Sequence, residues 1–239
     1  TISTEELNLL KKTDTPTVCN VIELFDIRPH NTGYMDNRIM ACFHDMPPMV
    51  GYATTATFRS ASPPREGSDY AGLDGQLDAF QKIPEPRGVV FQDLDNPPAA
   101  ATFGELMCGT YKSFGCAGLI TSGAGRDLQQ VRALQFPVFT SGTICAHGYC
   151  HIIEANGPVH VGGITVNPGD LLHGDCNGVT TIPHEIAGQV ARFCSEFMEA
   201  ENYILDWIKT GSRDRKALAE ARDACRKKTA ELRKRIQKK

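Results

Sequence analysis

No stretch of this chain holds eighteen uninterrupted apolar residues, which excludes a simple membrane-spanning helix. The opening segment TISTEELNLLKK is amphipathic and acidic early on, unlike the basic and then apolar order of a secretory signal, so a cytoplasmic location is expected. Cysteine pairs are missing too: the nine Cys are odd in number, scattered and without a CxxC, which argues against a secreted disulfide framework. Most are expected to be small buried hydrophobes. There is no G-x-S-x-G, no P-loop and no G-x-G-x-x-G; the GAG of Gly123 to Gly125 lacks the third glycine. The usual signatures of a serine hydrolase, a nucleotide cradle and a dinucleotide fold are therefore absent.

What is present suffices for a large core: 239 residues, 41% hydrophobic and 22% charged. The net charge of −3 is unevenly spread. From Lys209 to Lys239 there are 13 Lys and Arg against 4 Asp and Glu, whereas Thr1 to Ile208 carries 12 against 24. A basic tail invites a nucleic-acid reading. Its apolar positions Leu218, Ala221, Cys225, Thr229, Leu232 and Ile236 recur every three or four residues, however, so a helix packed on its own protein or on a neighbouring subunit is expected instead.

Helices are expected over Glu5 to Lys12 and from Thr15-Pro16, where Val18, Val21, Ile22 and Phe25 share a face. PMVGYATTATF reads as a strand, and RSASPPREGSDYAG as a loop. From Gly88 the order GVVFQDL, GELMCGTYKSFG, AGLITS, DLQQVRALQ, FPVFTSG alternates strand and helix, which argues for right-handed βαβ units and a parallel layer. After His151 the pattern turns to short strands, PVHVGG, ITVNPGD, LLHGDCNG and VTTIP, with turn chemistry at Asp170 and Asp175. Glu185 to Lys209 reads as one long amphipathic helix stopped by Thr210-Gly211. The chain divides accordingly into one α/β domain over 1–211 and a basic helical extension over 212–239.

Parallel strands aim their C-terminal ends at a crevice where the next helices begin. Two such helix starts carry Gly, Gly104-Glu105-Leu106-Met107 and Gly125-Arg126-Asp127-Leu128, so backbone N–H groups are open to an anion such as a carboxylate. The twenty residues from Leu106 to Gly125 fit one helix and one strand, which brings Glu105 and Arg126-Asp127 to the same end of the layer. A guanidinium there suits a carboxylate or a developing enolate oxygen, and the acids suit a hard divalent cation. A purely local reading fits as well: Asp127-x-x-Gln130 matches a capping box and Glu105 a first-turn acid. CAHGYCH, with Cys145, His147, Cys150 and His151, matches no zinc-finger spacing, and Gly148 opposes a helix across it, so zinc is not expected. His160 and His173 fall in short strands and read as structural.

GELMCGTYKSFGCAGLITSGAGRD, FPVFTSG and VHVGGITVNPGDLLHGDCNGVTTIP together resemble the RraA-like family, from about Thr15 to Gly211. That family includes metal-dependent 4-hydroxy-4-methyl-2-oxoglutarate / 4-carboxy-4-hydroxy-2-oxoadipate aldolases and non-catalytic regulators of ribonuclease activity. The resemblance implies a layered α/β/β domain with βαβ units, a β-rich second half and a long C-terminal helical extension. It implies that Arg126 binds the pyruvyl part of a 2-oxo acid, and that Asp127 holds Mg²⁺ or Mn²⁺ with Glu105 supporting the water shell. Gly104, Leu106 and Met107 would hold the substrate carboxylate through backbone N–H groups. Trimers or hexamers are implied, with Glu199 or Glu201 of a neighbouring subunit approaching the metal.

Two departures stand out: Ser122 occupies a place where the family commonly has Asp, and the basic tail is longer than the resemblance leads one to expect. The implied activity is a class II lyase that cleaves a 4-hydroxy-2-oxo acid to pyruvate through a metal-stabilised enolate, with oxaloacetate decarboxylation as a side reaction. Loops such as Ser60 to Gly72 would hold the distal half of the substrate. Lys112 sits two turns into its helix, which disfavours a Schiff-base aldolase. Alternatives are a hydratase or other lyase on a sugar-like substrate, and a protein-binding regulator without chemistry.

Overall fold

The computed structural model describes residues 1–67, 70 and 72–237, so Ser68, Asp69 and Ala71 of the Arg59 to Gly72 loop and the last two residues of the basic tail lie outside the described residues. Two compact units are present: Asn31–His184 with Thr1, and Ile2–His30 with Glu185–Lys239. In chain order the helices are α1 (Thr4–Leu10), α2 (Thr15–Glu23), α3 (Leu73–Phe80), α4 (Glu105–Ser113), α5 (Leu128–Ala133), α6 (Ala187–Lys209) and α7 (Arg215–Gln237). Among the described residues, no helix is long and apolar enough to cross a membrane.

The first unit is α/β. Its strands are β1 (Met40–Ala41), β2 (Met49–Arg59), β3 (Arg87–Asp93), β4 (Ala101–Phe103), β5 (Cys116–Thr121), β6 (Ala124–Gly125), β7 (Val138–Thr140), β8 (Gly142–Thr143), β9 (His151–Ala155), β10 (Val159–Val161), β11 (Ile164–Val166), β12 (Leu171–Asp175) and β13 (Gly178–Ile182). An eight-stranded sheet runs β1-β7-β5-β3-β2-β12-β13, and β9 also pairs with β2. The expected parallel layer is there, as β2, β3, β5 and β7. Hairpins β10-β11 and β12-β13 supply the β-rich second half. In its turns, Asp170 accepts from the Asn167 N–H at 2.8 Å and Asp175 from the Asn177 N–H at 2.8 Å.

The apolar run GVVF is explained by burial on both faces of the sheet. Val89, Phe91 and Leu119 pack with Phe58, Phe103 and Tyr111 on one side, while Val90 and Ile120 pack with Met49, Phe139 and Val161 on the other. Each buried Phe or Leu of this kind contributes about 1.5–3 kcal/mol relative to exposure.

The placement of the site depends on a small parallel sheet, β4-β6-β8, that continues beyond the C-terminal ends of the main strands. Its register pairs Ala101 with Ala124 and Phe103 with Gly125, so the chain leaves β4 into Gly104-Glu105 beside the point where it leaves β6 into Arg126-Asp127. Strands of two or three residues carry no readable alternation, which is why the sequence does not reveal them. Helix α3 is likewise short, and only Leu73, Leu77 and Phe80 mark its face in the sequence.

The second unit is helical. Ser3 and Glu6 form a full capping box on α1, and the Asp14 carboxylate accepts from the Thr17 N–H at 2.8 Å to cap α2. Val18, Val21 and Ile22 are buried as expected. The basic tail forms α7, whose Leu232 and Ile236 are buried and whose Arg235 pairs with Glu196 of α6 at 2.6 and 2.8 Å while lying over the Phe193 ring. The stripe read from the sequence thus packs within its own chain.

Candidate active site

Glu105, Arg126 and Asp127, read from the sequence as one cluster, line a single cavity of about 290 Å³ together with Gly104, Leu106 and Met107. That is near the lower end for small-molecule sites. Tyr70, Thr102, His147 and Cys150 complete much of its wall. Glu199 and Glu201 lie on α6 of the helical unit. Lys112 donates to the Leu134 carbonyl and is not among the described residues that line the cavity.

The cluster is built by close backbone approach. The Arg126 N–H donates to the Phe103 carbonyl at 3.1 Å, and the Ile144 N–H donates to the Gly125 carbonyl at 3.1 Å. These bonds fix the GAGRD loop against β4 on one side and the segment after β8 on the other. Gly104 is required by contact: a Cβ there would lie 2.5 Å from Asp127 Oδ2 and 3.1 Å from Arg126 Nε. Only a bare backbone lets the carboxylate and guanidinium come this near.

Asp127 does not cap its own helix. Its backbone is left-handed, at φ 54 and ψ 37, and its side chain makes no bond to α5. Instead Oδ2 accepts from the Glu105 N–H at 3.1 Å, the first amide of α4, with Arg126 Nε at 3.8 Å. A non-glycine residue in this conformation costs about 1–2 kcal/mol, which the surrounding structure must offset. The capping-box reading of Asp127 and Gln130 is corrected accordingly: the acid serves the neighbouring helix. The first-turn N–H groups of Leu106 and Met107, which helix geometry leaves without internal partners, lie at the same cavity. Leu106 is 76% exposed, so this turn is open to solvent.

Beneath the loop, Ser122 Oγ accepts from the Asp93 N–H at 2.9 Å and so ties β5 to the end of β3. Asp93 is buried, its Oδ1 accepts from the Asp95 N–H at 2.9 Å, and burial pushes its carboxyl up to about 6. Its Oδ2 would be 2.4 Å from a Cβ at Gly123. A buried acid therefore stands under the loop one strand away from Ser122.

His147, which belongs in sequence to the CAHGYCH segment where no zinc spacing occurs, lies in the cavity wall. Among the described residues, no group of three or more His, Cys, Asp or Glu is placed to hold a metal ion. The local signal that marks His147 is the following Gly148, which adopts φ +51.

A family model described as RraA-like, Aldolase/RraA, matches residues 15–181. A protein of Halalkalibacterium halodurans named "Putative 4-hydroxy-4-methyl-2-oxoglutarate aldolase" is 39% identical over 136 residues, 56% of this chain and 60% of that one. The chain thus matches less than two thirds of the length of that curated relative. A solved structure from Pseudomonas syringae pv. tomato aligns with a TM-score of 0.70 at 22% identity, covering 92% and 94% of the two chains. Streptomyces coelicolor RraAS2, described as an unusual member of the RNase ES inhibitor RraA family, aligns with a TM-score of 0.66 at 23% identity, covering 85% and 98%. At these identities the likeness is one of fold.

Proposed function

The chain belongs to the RraA-like family, and from that premise we propose that it is a divalent-metal-dependent lyase cleaving a 4-hydroxy-2-oxo acid to pyruvate. The observation that carries this reading is the meeting of the Arg126 guanidinium, the Asp127 carboxylate and the open first turn of α4 in one small cavity. A pyruvyl group offers matching chemistry, a carboxylate next to a C2 carbonyl whose oxygen gains negative charge as the C3–C4 bond breaks. The N–H groups of Leu106 and Met107 hold the carboxylate at the positive end of the helix. Arg126 donates to the C2 oxygen and stabilises the enolate that collects the bonding electrons. Oxaloacetate decarboxylation passes through the same enolate, so this site favours it as well.

The carboxylate oxygens of this cavity suit a hard divalent cation such as Mg²⁺ or Mn²⁺. Asp127 and Glu105 are the carboxylates at the cavity, and hard cations that keep most of their water bind through one or two carboxylates plus substrate oxygens. Asp127 would hold the ion and Glu105 its water shell. When bound, the ion supplies a Lewis acid for the C2 oxygen. In the same proposal the protein is a cytoplasmic homotrimer or hexamer in which Glu199 or Glu201 of a second copy adds a further carboxylate.

The test is pyruvate release, followed with a coupled assay, from 4-hydroxy-4-methyl-2-oxoglutarate and from oxaloacetate. The native chain with Mn²⁺ is expected to release pyruvate from both, and Arg126→Ala from neither at a comparable rate. Undiminished turnover in Arg126→Ala would remove this site from the reaction.

A further inference from the structure

We propose that His147 is the base that takes the proton from the C4 hydroxyl of the substrate, an assignment that rests on the lyase reading above. Its Nδ1 lies 2.7 Å from the Gly148 carbonyl oxygen. A carbonyl only accepts, so Nδ1 carries the ring proton, and in the neutral ring the lone pair is on Nε2. His147 is half-buried and lines the same cavity as Gly104, Leu106, Arg126 and Asp127. Among the described residues, Nε2 has no hydrogen-bond partner. A structural histidine of the ordinary kind uses both nitrogens.

The segment that carries His147 is fixed from several directions. The Ala146 carbonyl accepts from the Ala101 N–H at 2.8 Å, the Tyr149 N–H donates to the Ser60 carbonyl at 3.0 Å, and the Cys150 thiol donates to the His147 carbonyl at 3.1 Å. Gly148 is needed at its position: with φ +51, a Cβ would lie 2.7 Å from the Ser60 carbonyl oxygen and 2.9 Å from Ala100 Cβ. The Tyr70 ring flanks the imidazole, with centroids 6.3 Å apart. Because the Ile144 N–H also bonds Gly125, one backbone path joins this base to the Arg126-Asp127 loop. Such a ring needs little reorganisation when a proton is transferred.

The other ionisable groups at the cavity are less suited. Asp127 Oδ2 already accepts from the Glu105 N–H, the Cys150 thiol is buried and donating to His147, Arg126 and Tyr70 are not bases, and Glu105 projects from an exposed position. In the proposed step the C4 hydroxyl proton passes to Nε2, the O–C4 bond becomes a carbonyl, and the C3–C4 bonding pair becomes the enolate. Water protonates C3 to give pyruvate, and the imidazolium returns its proton to solvent. Decarboxylation has no hydroxyl proton to remove, so it does not need this base.

That difference supplies the test. With the full chain and Mn²⁺, His147→Asn keeps an N–H donor for Gly148 but has no base. It is expected to slow cleavage of 4-hydroxy-4-methyl-2-oxoglutarate by about 10²–10³-fold while oxaloacetate decarboxylation stays within about threefold, the rate being little affected because no general base is used. The native pH–rate profile for cleavage should show an acidic limb that the variant lacks, and added imidazole should restore part of the rate in His147→Ala. Equal loss on both substrates, or no loss on either, would overturn the assignment while Arg126→Ala still reported on the lyase reading. A native chain inactive on both substrates would remove that reading and this one with it.

Discussion

Asp14 and Asp127 stand at the same place in their helices, immediately before α2 and α5, yet their backbones and partners differ. Asp14 is extended at φ −74 and its carboxylate accepts from Thr17 in its own first turn. Asp127 is left-handed at φ 54, leaves its own helix uncapped and reaches the first amide of α4. Two identical side chains at equivalent positions thus separate a residue that stabilises a local element from one whose conformation costs stability. At Asp127 this strained backbone coincides with a carboxylate that lines a cavity, and functional sites are where such strain tends to persist.

The largest effect that sharpens this contrast is expected at Arg126, the neighbour of the strained residue. Arg126→Ala should lower kcat/KM for pyruvate release by about 10³-fold or more, a loss of roughly 4 kcal/mol of transition-state stabilisation, with thermal unfolding little changed. Gly104→Ala comes next. Its new Cβ displaces the Asp127 carboxylate, the Glu105 bond is lost, and activity falls about 10²-fold while circular dichroism stays native.

A smaller effect concerns the acid beneath the loop. Since burial raises the Asp93 carboxyl to about 6, the folded chain binds this proton more tightly than the unfolded chain. The stability it contributes is complete below about pH 4 and is lost as pH rises through about 6. Asp93→Asn should therefore flatten the decline of unfolding temperature over that window, raising it near pH 7.5 by about 2–5 °C. The smallest effect is at the other helix start: Asp14→Ala should cost about 1 kcal/mol in denaturant unfolding and leave turnover unchanged. Equal behaviour of the Asp14 and Asp127 variants in activity would break the comparison.

The same pair shows what the sequence could reveal. Short apolar runs alternating with helical segments disclosed the parallel strands β3, β5 and β7, which are buried on both faces, and period-3.6 patterns disclosed helix α6 and the packed stripe of α7, since burial of a face dictates residue choice along several turns. The spacing from Glu105 to Arg126 disclosed that both sit at one end of the layer. The spacing did not disclose how: β4, β6 and β8 are held by neighbours across the chain, and two or three residues cannot carry a period. Nor did it show that Asp127 turns away from α5, because the Asp-x-x-Gln pattern is satisfied equally by a residue that caps and one that does not. His147 was hidden among nearby cysteines, and its meaning depends on Gly148, Ser60 and Ala101 from three separate segments.

The most direct measurement is metal-dependent pyruvate release by Asp127→Asn, with unfolding followed in the same samples. Asparagine tolerates the left-handed backbone and its carbonyl oxygen still accepts from the Glu105 N–H, so only the negative charge is removed. Unfolding equal to the native chain together with loss of Mn²⁺-dependent release is the predicted result. Native-like release by Asp127→Asn, or release that persists in excess chelator, would contradict the account.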